Sequence, residues 1–189
     1  MDILLVETKK GAEIDSSLRG FNSRLVWSVL GLLAIVIFGL LAAPGCTPPA
    51  PEVGRLAPDF TLSDLEGNSV TLSDFRGKVV FINFWTTRCP SCRAMMPVIE
   101  AIYQEYKGED VVVISVNLFE AENVVRQYVQ QGDYSWTFVI DTTGEVANNY
   151  SITTIPTSFF VDKEGIIRAV NVGAMTKRAM ESRLAEAMK

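Results

Sequence analysis

Cys89 and Cys92 are separated by two residues in the stretch FWTTRCPSCRAMMP, directly after the apolar run KVVFINFW (78–85), in a 189-residue chain that contains no histidine. Paired thiols at this spacing suit two chemistries, metal ligation and thiol–disulfide exchange. A structural zinc site needs four nitrogen or sulfur ligands. With Cys46 as the only other thiol and no imidazole, one chain cannot supply them. A purely structural bridge is a weak reading, because closing so short a loop restricts the unfolded chain little. The absence of histidine also excludes Ser-His-Asp and Cys-His nucleophilic machinery. Redox chemistry remains, and it requires no cofactor.

The flanking pattern explains how the thiols would work. A buried strand ends at Trp85 and helical spacing begins at Pro90, which places Cys89 at a helix N-terminus. Free backbone N–H groups and the positive end of the dipole there favour a thiolate, so Cys89 is the expected nucleophile. Cys92, one turn on, should lie beneath it within disulfide reach and act as the resolving thiol. Arg88 and Arg93 flank the pair and could support the thiolate or grip an acidic partner. Pro156, in TIPT, is expected to follow a cis peptide bond, leaving the backbone of Ile155 free to pair with an extended substrate. Ile155, Trp85 and Arg88 are therefore the substrate-facing candidates. Pro97 should kink the helix that carries the motif.

Residues 60–62 and 69–72 flank LEGN and predict a short hairpin. Strands follow at 78–85 and 111–117, helices at 90–107 and 120–131, a short strand at 138–140 and a short helix at 144–150. Residues 157–161 and 166–172 bracket DKEG as a second hairpin, before a final helix from Thr176. The order βαβαββα makes a central sheet with helices on both sides.

The N-terminal part reads as an address. Residues 25–43 are uncharged and, at about 1.5 Å per residue, just span a hydrocarbon core of about 30 Å. Lys9, Lys10, Arg19 and Arg24 precede that span, whereas only Arg55 follows closely, which places residues 1–24 in the cytoplasm. Residues 44–53, rich in proline, would be an extended spacer, with the folded domain over 54–189. Cys46, in LLAAPGC, is a candidate lipidation site, although Ala43 and Pro44 and a long leader depart from the usual signal. Either anchor leaves the domain outside a bacterial cytoplasmic membrane. The net charge of −5 argues against nucleic acid as a partner.

The segments GRLAPDFTLSDLEGNSVTLSDFRGKVVFINFWTTRCPSC and TIPTSFFVDKEG together resemble the membrane-tethered, thioredoxin-like proteins of the redoxin superfamily, in particular the TlpA/ResA group. The resemblance covers about residues 54–189. It implies a thioredoxin-like α/β fold with an N-terminal β-hairpin extension, and a redox-active disulfide between nucleophile Cys89 and resolving Cys92. It also implies Pro156 as the cis-proline. The implied partners are protein disulfides or dithiols of the envelope, with apocytochrome c among them, and a membrane electron donor, for a monomer acting as reductant. The sequence departs from that pattern at Arg88, where Trp is common, and at Asn83 and Met95, where the family carries a carboxylate that assists proton removal from the resolving thiol.

Two rival readings follow from the same residues. The APDF opening and Thr86, three residues before Cys89, are shared with thiol peroxidases of the peroxiredoxin type, but Ile82 stands in place of their preceding proline. A non-catalytic tethered binding module or copper carrier would generally use CxxxC and a histidine, and the chain has neither.

Overall fold

The computed structural model describes residues 51–189. The cytoplasmic segment expected over 1–24, the span expected over 25–43, Cys46 and the spacer up to residue 50 lie outside the described residues. Among the described residues no helix is long and apolar enough to cross a membrane.

β1 (Thr61–Asp64) and β2 (Ser69–Thr71) pair antiparallel. The turn between them is held by Asp64, whose carboxylate accepts the backbone N–H groups of Glu66 and Asn68, and by Gly67 at φ +86°. β3 (Val79–Trp85) is buried along its whole length, as a run with apolar residues on both faces requires. It leads into α1 (Pro90–Tyr106), β4 (Val111–Leu118), α2 (Glu122–Gly132), β5 (Thr137–Asp141), α3 (Glu145–Asn149), β6 (Thr157–Val161), β7 (Ile167–Val172) and α4 (Lys177–Ala187).

These strands form one seven-stranded sheet in the order β2-β1-β5-β4-β3-β6-β7. β3, β4 and β5 are parallel; β6 runs against β3, and β7 against β6. One edge of the sheet therefore collects the loops that leave β3, β4, β5 and β7 and the loop that enters β6. That is where ligand chemistry gathers in open α/β sheets.

Each face of the sheet carries its own core. Phe81 and Trp85 pack with Ile99 and Ile102 of α1, Val125 and Val129 of α2, and Met180 and Leu184 of α4. On the other face Ile82, Phe84, Ile114 and Val116 meet Tyr150, Leu72 and Phe60. Across the sheet Phe81 stacks on Phe160 at 4.7 Å between ring centroids.

One local reading changes. The second helix starts at Glu122, with Ala121 as its N-cap, rather than at Glu120. The chain turns at Phe119, whose φ is +59°, and this takes Glu120 out of the helix and into the protein. The motif helix runs through Pro97 as one element, with Pro97 on its exposed side. Proline there removes one hydrogen bond without ending the helix.

Tyr150 connects the segment before β1 to the second core. Its ring packs on Phe84 and Phe159, and its hydroxyl donates to the carbonyl of Pro58 at 2.8 Å. Burial raises its pKa well above the usual phenol value, so the group stays a donor. Tyr150→Phe should lower stability by about 1 kcal/mol, read as a shift of the urea midpoint at unchanged slope. An unchanged midpoint would show that this hydrogen bond contributes nothing to the attachment.

Candidate active site

Cys89 is the N-cap of α1. Its backbone is extended (φ −81°, ψ 113°), Pro90 takes the first helical position, and its sulfur accepts the backbone N–H of Cys92 at 3.1 Å. Pro90 suits this place because its missing N–H would have had no partner there. The Arg93 N–H reaches the Cys89 carbonyl at 3.0 Å, closing the first turn. Cys89 is half-buried and Cys92 buried, and a disulfide joins them across a Cα–Cα separation of 5.2 Å. The outer sulfur is the one a partner can reach.

The loop entering β6 lies against this sulfur. The Ile155–Pro156 peptide is cis, and the Ile155 carbonyl oxygen is 3.9 Å from Cys89 Sγ. Thr157 ties the loop down by donating its hydroxyl to the Thr154 carbonyl at 2.6 Å. Ile155 is half-buried, so its backbone borders the sulfur at the surface.

A carboxylate overlooked in the sequence holds the other side. Glu120 is 6% exposed, and its Oε2 accepts the Thr87 N–H at 2.6 Å and the Asn117 side-chain amide at 2.8 Å. Its Oε1 accepts the Thr87 hydroxyl at 2.7 Å and lies 3.4 Å from Arg88 Nε. Burial opposes ionisation, but the donors from Asn117 and Thr87, with the Arg88 charge, outweigh it and lower the pKa below the usual carboxylate value. Glu120 is thus an ionised anchor for the turn before Cys89. The helical spacing of Val124, Val125, Tyr128 and Val129 hid it by drawing the helix start back to Glu120. The cue lies in the pairing of β3 with β4, Trp85 opposite Asn117, which brings the two following loops side by side.

The positions where the family pattern has carboxylates are neutral and buried. Asn83 lies between Phe81 and Trp85 on the face that carries Cys92, in a row across the sheet with Ser115, Ser158 and Asn171. Ser158 Oγ is 3.5 Å from its Oδ1, and its Nδ2 has no partner among the described residues. The sulfur of Met95 lies 3.4 Å from the Met175 N–H. Trp85, expected to face substrate, is corrected to a core residue. It is fully buried against Tyr128 and Phe138, because β3 alternates into a core on both faces. Arg88 has 80% of its side chain exposed at the rim. Two clefts flank the motif. One of about 550 Å³ lies beside Pro90 and Arg93 and is walled by Tyr128 and Tyr134. Another of about 270 Å³ lies between Arg88 and Phe119.

The Redoxin family model matches residues 52–188. The chain is 38% identical over 157 residues to the thiol-disulfide oxidoreductase ResA of Geobacillus kaustophilus, covering 79% of this chain and 90% of that one. It is 36% identical over 166 residues to the ResA of Bacillus thuringiensis subsp. konkukian, covering 86% of this chain and 96% of the relative. Among solved structures it is similar to the pneumococcal exposed lipoprotein thioredoxin Etrx1 of Streptococcus pneumoniae. The TM-score is 0.62 at 31% identity, over 68% of this chain and 99% of that one.

Glu120 separates two variants. Glu120→Ala leaves the Thr87 N–H and the Asn117 amide without their acceptor and should cost about 2–3 kcal/mol. Glu120→Gln keeps an acceptor for both and should cost less. Because the folded pKa lies below the reference of 4.5, the stability Glu120 contributes is fully present above that value. It is lost as pH falls through the depressed folded value. Thermal unfolding from pH 7 down to pH 3 should therefore show a shallower acid slope for Glu120→Gln than for the parent protein, and parallel slopes would remove Glu120 from the acid response.

Proposed function

Because this chain belongs to the Redoxin family and is a thioredoxin-like thiol-disulfide oxidoreductase, we propose that it acts as a membrane-tethered reductant of envelope proteins, with Cys89 attacking and Cys92 resolving. The observation that carries this reading is the asymmetry of the pair: a half-exposed sulfur caps α1, and its partner is buried one turn below. In the reduced form, helix-end N–H groups favour the Cys89 thiolate. That thiolate attacks one sulfur of a partner disulfide, the partner's S–S bond breaks, and the departing sulfur leaves as a thiolate that takes up a proton. Cys92 then loses its proton and attacks Cys89 Sγ, which breaks the mixed disulfide and releases the partner's second thiolate. Two electrons pass to the partner, and the Cys89–Cys92 disulfide returns to a membrane electron donor for reduction. The Ile155 carbonyl oxygen, 3.9 Å from Cys89 Sγ, supports backbone pairing of Ile155 with an extended segment at the reacting sulfur.

The address rests on residues outside the described ones. The uncharged span over 25–43 and the basic residues before it support an uncleaved anchor with the domain on the extracytoplasmic side. The cysteine in LLAAPGC supports lipidation of Cys46 as the alternative. Reduction of apocytochrome c is the proposed use, by similarity to the ResA proteins.

Cys92→Ser should accumulate partners as mixed disulfides on Cys89, seen as bands that collapse on reduction, whereas Cys89→Ser should trap none and lose all exchange. A Cys89–Cys92 potential at or below about −250 mV against glutathione supports the reductant; one above about −150 mV would make the protein a disulfide donor. In membrane fractions, Cys46→Ala should stay bound if the span is the anchor, and its release would transfer the anchoring to a lipid on Cys46.

A further inference from the structure

The cleft of about 270 Å³ beside the motif is lined by Thr87, Arg88, Phe119, Glu120, Ala121 and Val124. Phe119 is 61% exposed and Val124 44%, so two large apolar side chains stand in solvent within the loop and helix start that follow β4. Nothing in the exchange chemistry itself requires them there.

Phe119 is also an unusual choice for its backbone. Its φ of +59° lies in the left-handed region, which glycine, asparagine and aspartate enter readily and bulky residues rarely do. If the turn needed only that conformation, one of those residues would serve it better. The ring's position is built in. The Phe119 N–H donates to the Asp141 carbonyl at 3.0 Å, and the ring lies over Gly144, where any Cβ would come within 2.3 Å of it. Asp141, buried, accepts the N–H groups of Gly144 and Ala147 at 2.9 and 2.8 Å and fixes the turn beneath the ring. A strained, exposed aromatic ring on a rigid support points to a contact surface.

The volume and the charge identify the occupant. At about 270 Å³ the cleft falls below the range of about 300–1,000 Å³ usual for small-molecule sites and is open enough for a single side chain. Glu120 forms the floor with its charge matched by Thr87, Asn117 and Arg88 Nε. The rest of the Arg88 guanidinium faces solvent immediately before Cys89, in a chain of net charge −5. The cleft and the Ile155 loop lie on opposite sides of the motif, since β4 and β6 flank β3 from opposite sides.

We propose that the Phe119–Val124 cleft is a side-chain subsite for the polypeptide partner. It receives a large apolar residue close in sequence to the partner's reacting cysteine, while a partner carboxylate meets Arg88. This rests on the oxidoreductase reading and adds a substrate preference to it.

The test uses the reduced full chain in detergent with short synthetic peptides, each carrying one cysteine as a mixed disulfide with thionitrobenzoate. Attack by Cys89 on the peptide sulfur releases thionitrobenzoate, which is followed by absorbance, and Cys92 then frees the peptide thiol. Phe is compared with Ala at each of the positions neighbouring the cysteine, and Asp with Lys at the others. For at least one position the second-order rate constant of this single turnover should favour Phe over Ala by about tenfold, as partial burial of an aromatic side chain implies. Phe119→Asn, which suits the backbone, and Val124→Ser, on the helix surface, should each reduce that ratio toward one. Arg88→Glu should reverse the Asp-over-Lys preference at low salt. Equal rates for Phe and Ala peptides at every position, or a Phe preference that survives in Phe119→Asn, overturn the subsite alone. No exchange with any peptide by the reduced native chain overturns the oxidoreductase reading as well.

Discussion

The sulfur of Cys89 accepts the Cys92 backbone N–H, so one atom serves as the cap of α1 and as the more exposed sulfur of the pair. A helix N-terminus has N–H groups with no partner inside the helix, and they are satisfied by whatever the chain places in front of them. Here the chain places a redox group. The geometry works only if the start of α1 cannot drift, and the surrounding structure supplies that rigidity. β3 is buried on both faces and delivers the chain to a fixed point, Pro90 presets the first helical backbone angle, and Cys92, Met95, Met96 and Ile99 pin the helix to the sheet.

The turn between strand and helix needs its own anchor, since residues 86–88 belong to neither element. Glu120 provides it from the neighbouring loop. An ionised carboxylate so nearly buried is costly unless its lone pairs are filled, and Thr87, Asn117 and Arg88 fill them. The same loop displays Phe119 on its outer side. A buried charge facing inward and an apolar ring facing outward thus come from consecutive residues, a separation enforced by the left-handed turn at Phe119.

Beneath the motif the protein is polar without being acidic. Asn83 sits in a row with Ser115 and Ser158, and Met95 fills the other position where the family pattern has a carboxylate. The carboxylate this site does possess, Glu120, spends its hydrogen bonds on Thr87 and Asn117, so its influence on the thiols runs through the backbone and through its charge. In the proposed exchange, the proton lost by Cys92 would then pass to the thiolate that departs from the partner or to solvent.

The strands, the helices and the redox pair could be read from local patterns. KVVFINFW is nearly continuous in apolar residues, as a buried strand needs, CPSC begins where helical spacing begins, and glycine and proline mark the turns. These signals are short in range, and the physics behind them, side-chain periodicity and helix-end chemistry, acts over a few residues. The anchoring by Glu120 and the exposed ring of Phe119 were not legible, and the burial of Trp85, implied by the buried strand, was set aside for its place beside the motif. Each depends on residues more than twenty positions away: Thr87 for Glu120, Gly144 and Asp141 for the Phe119 neighbourhood, Phe138 and Tyr128 for Trp85. The sequence by itself determined that two thiols would stand at the head of a helix after a buried strand. Only the tertiary structure, through the register of β3 against β4, decided which carboxylate holds them and which aromatic ring stands exposed beside them.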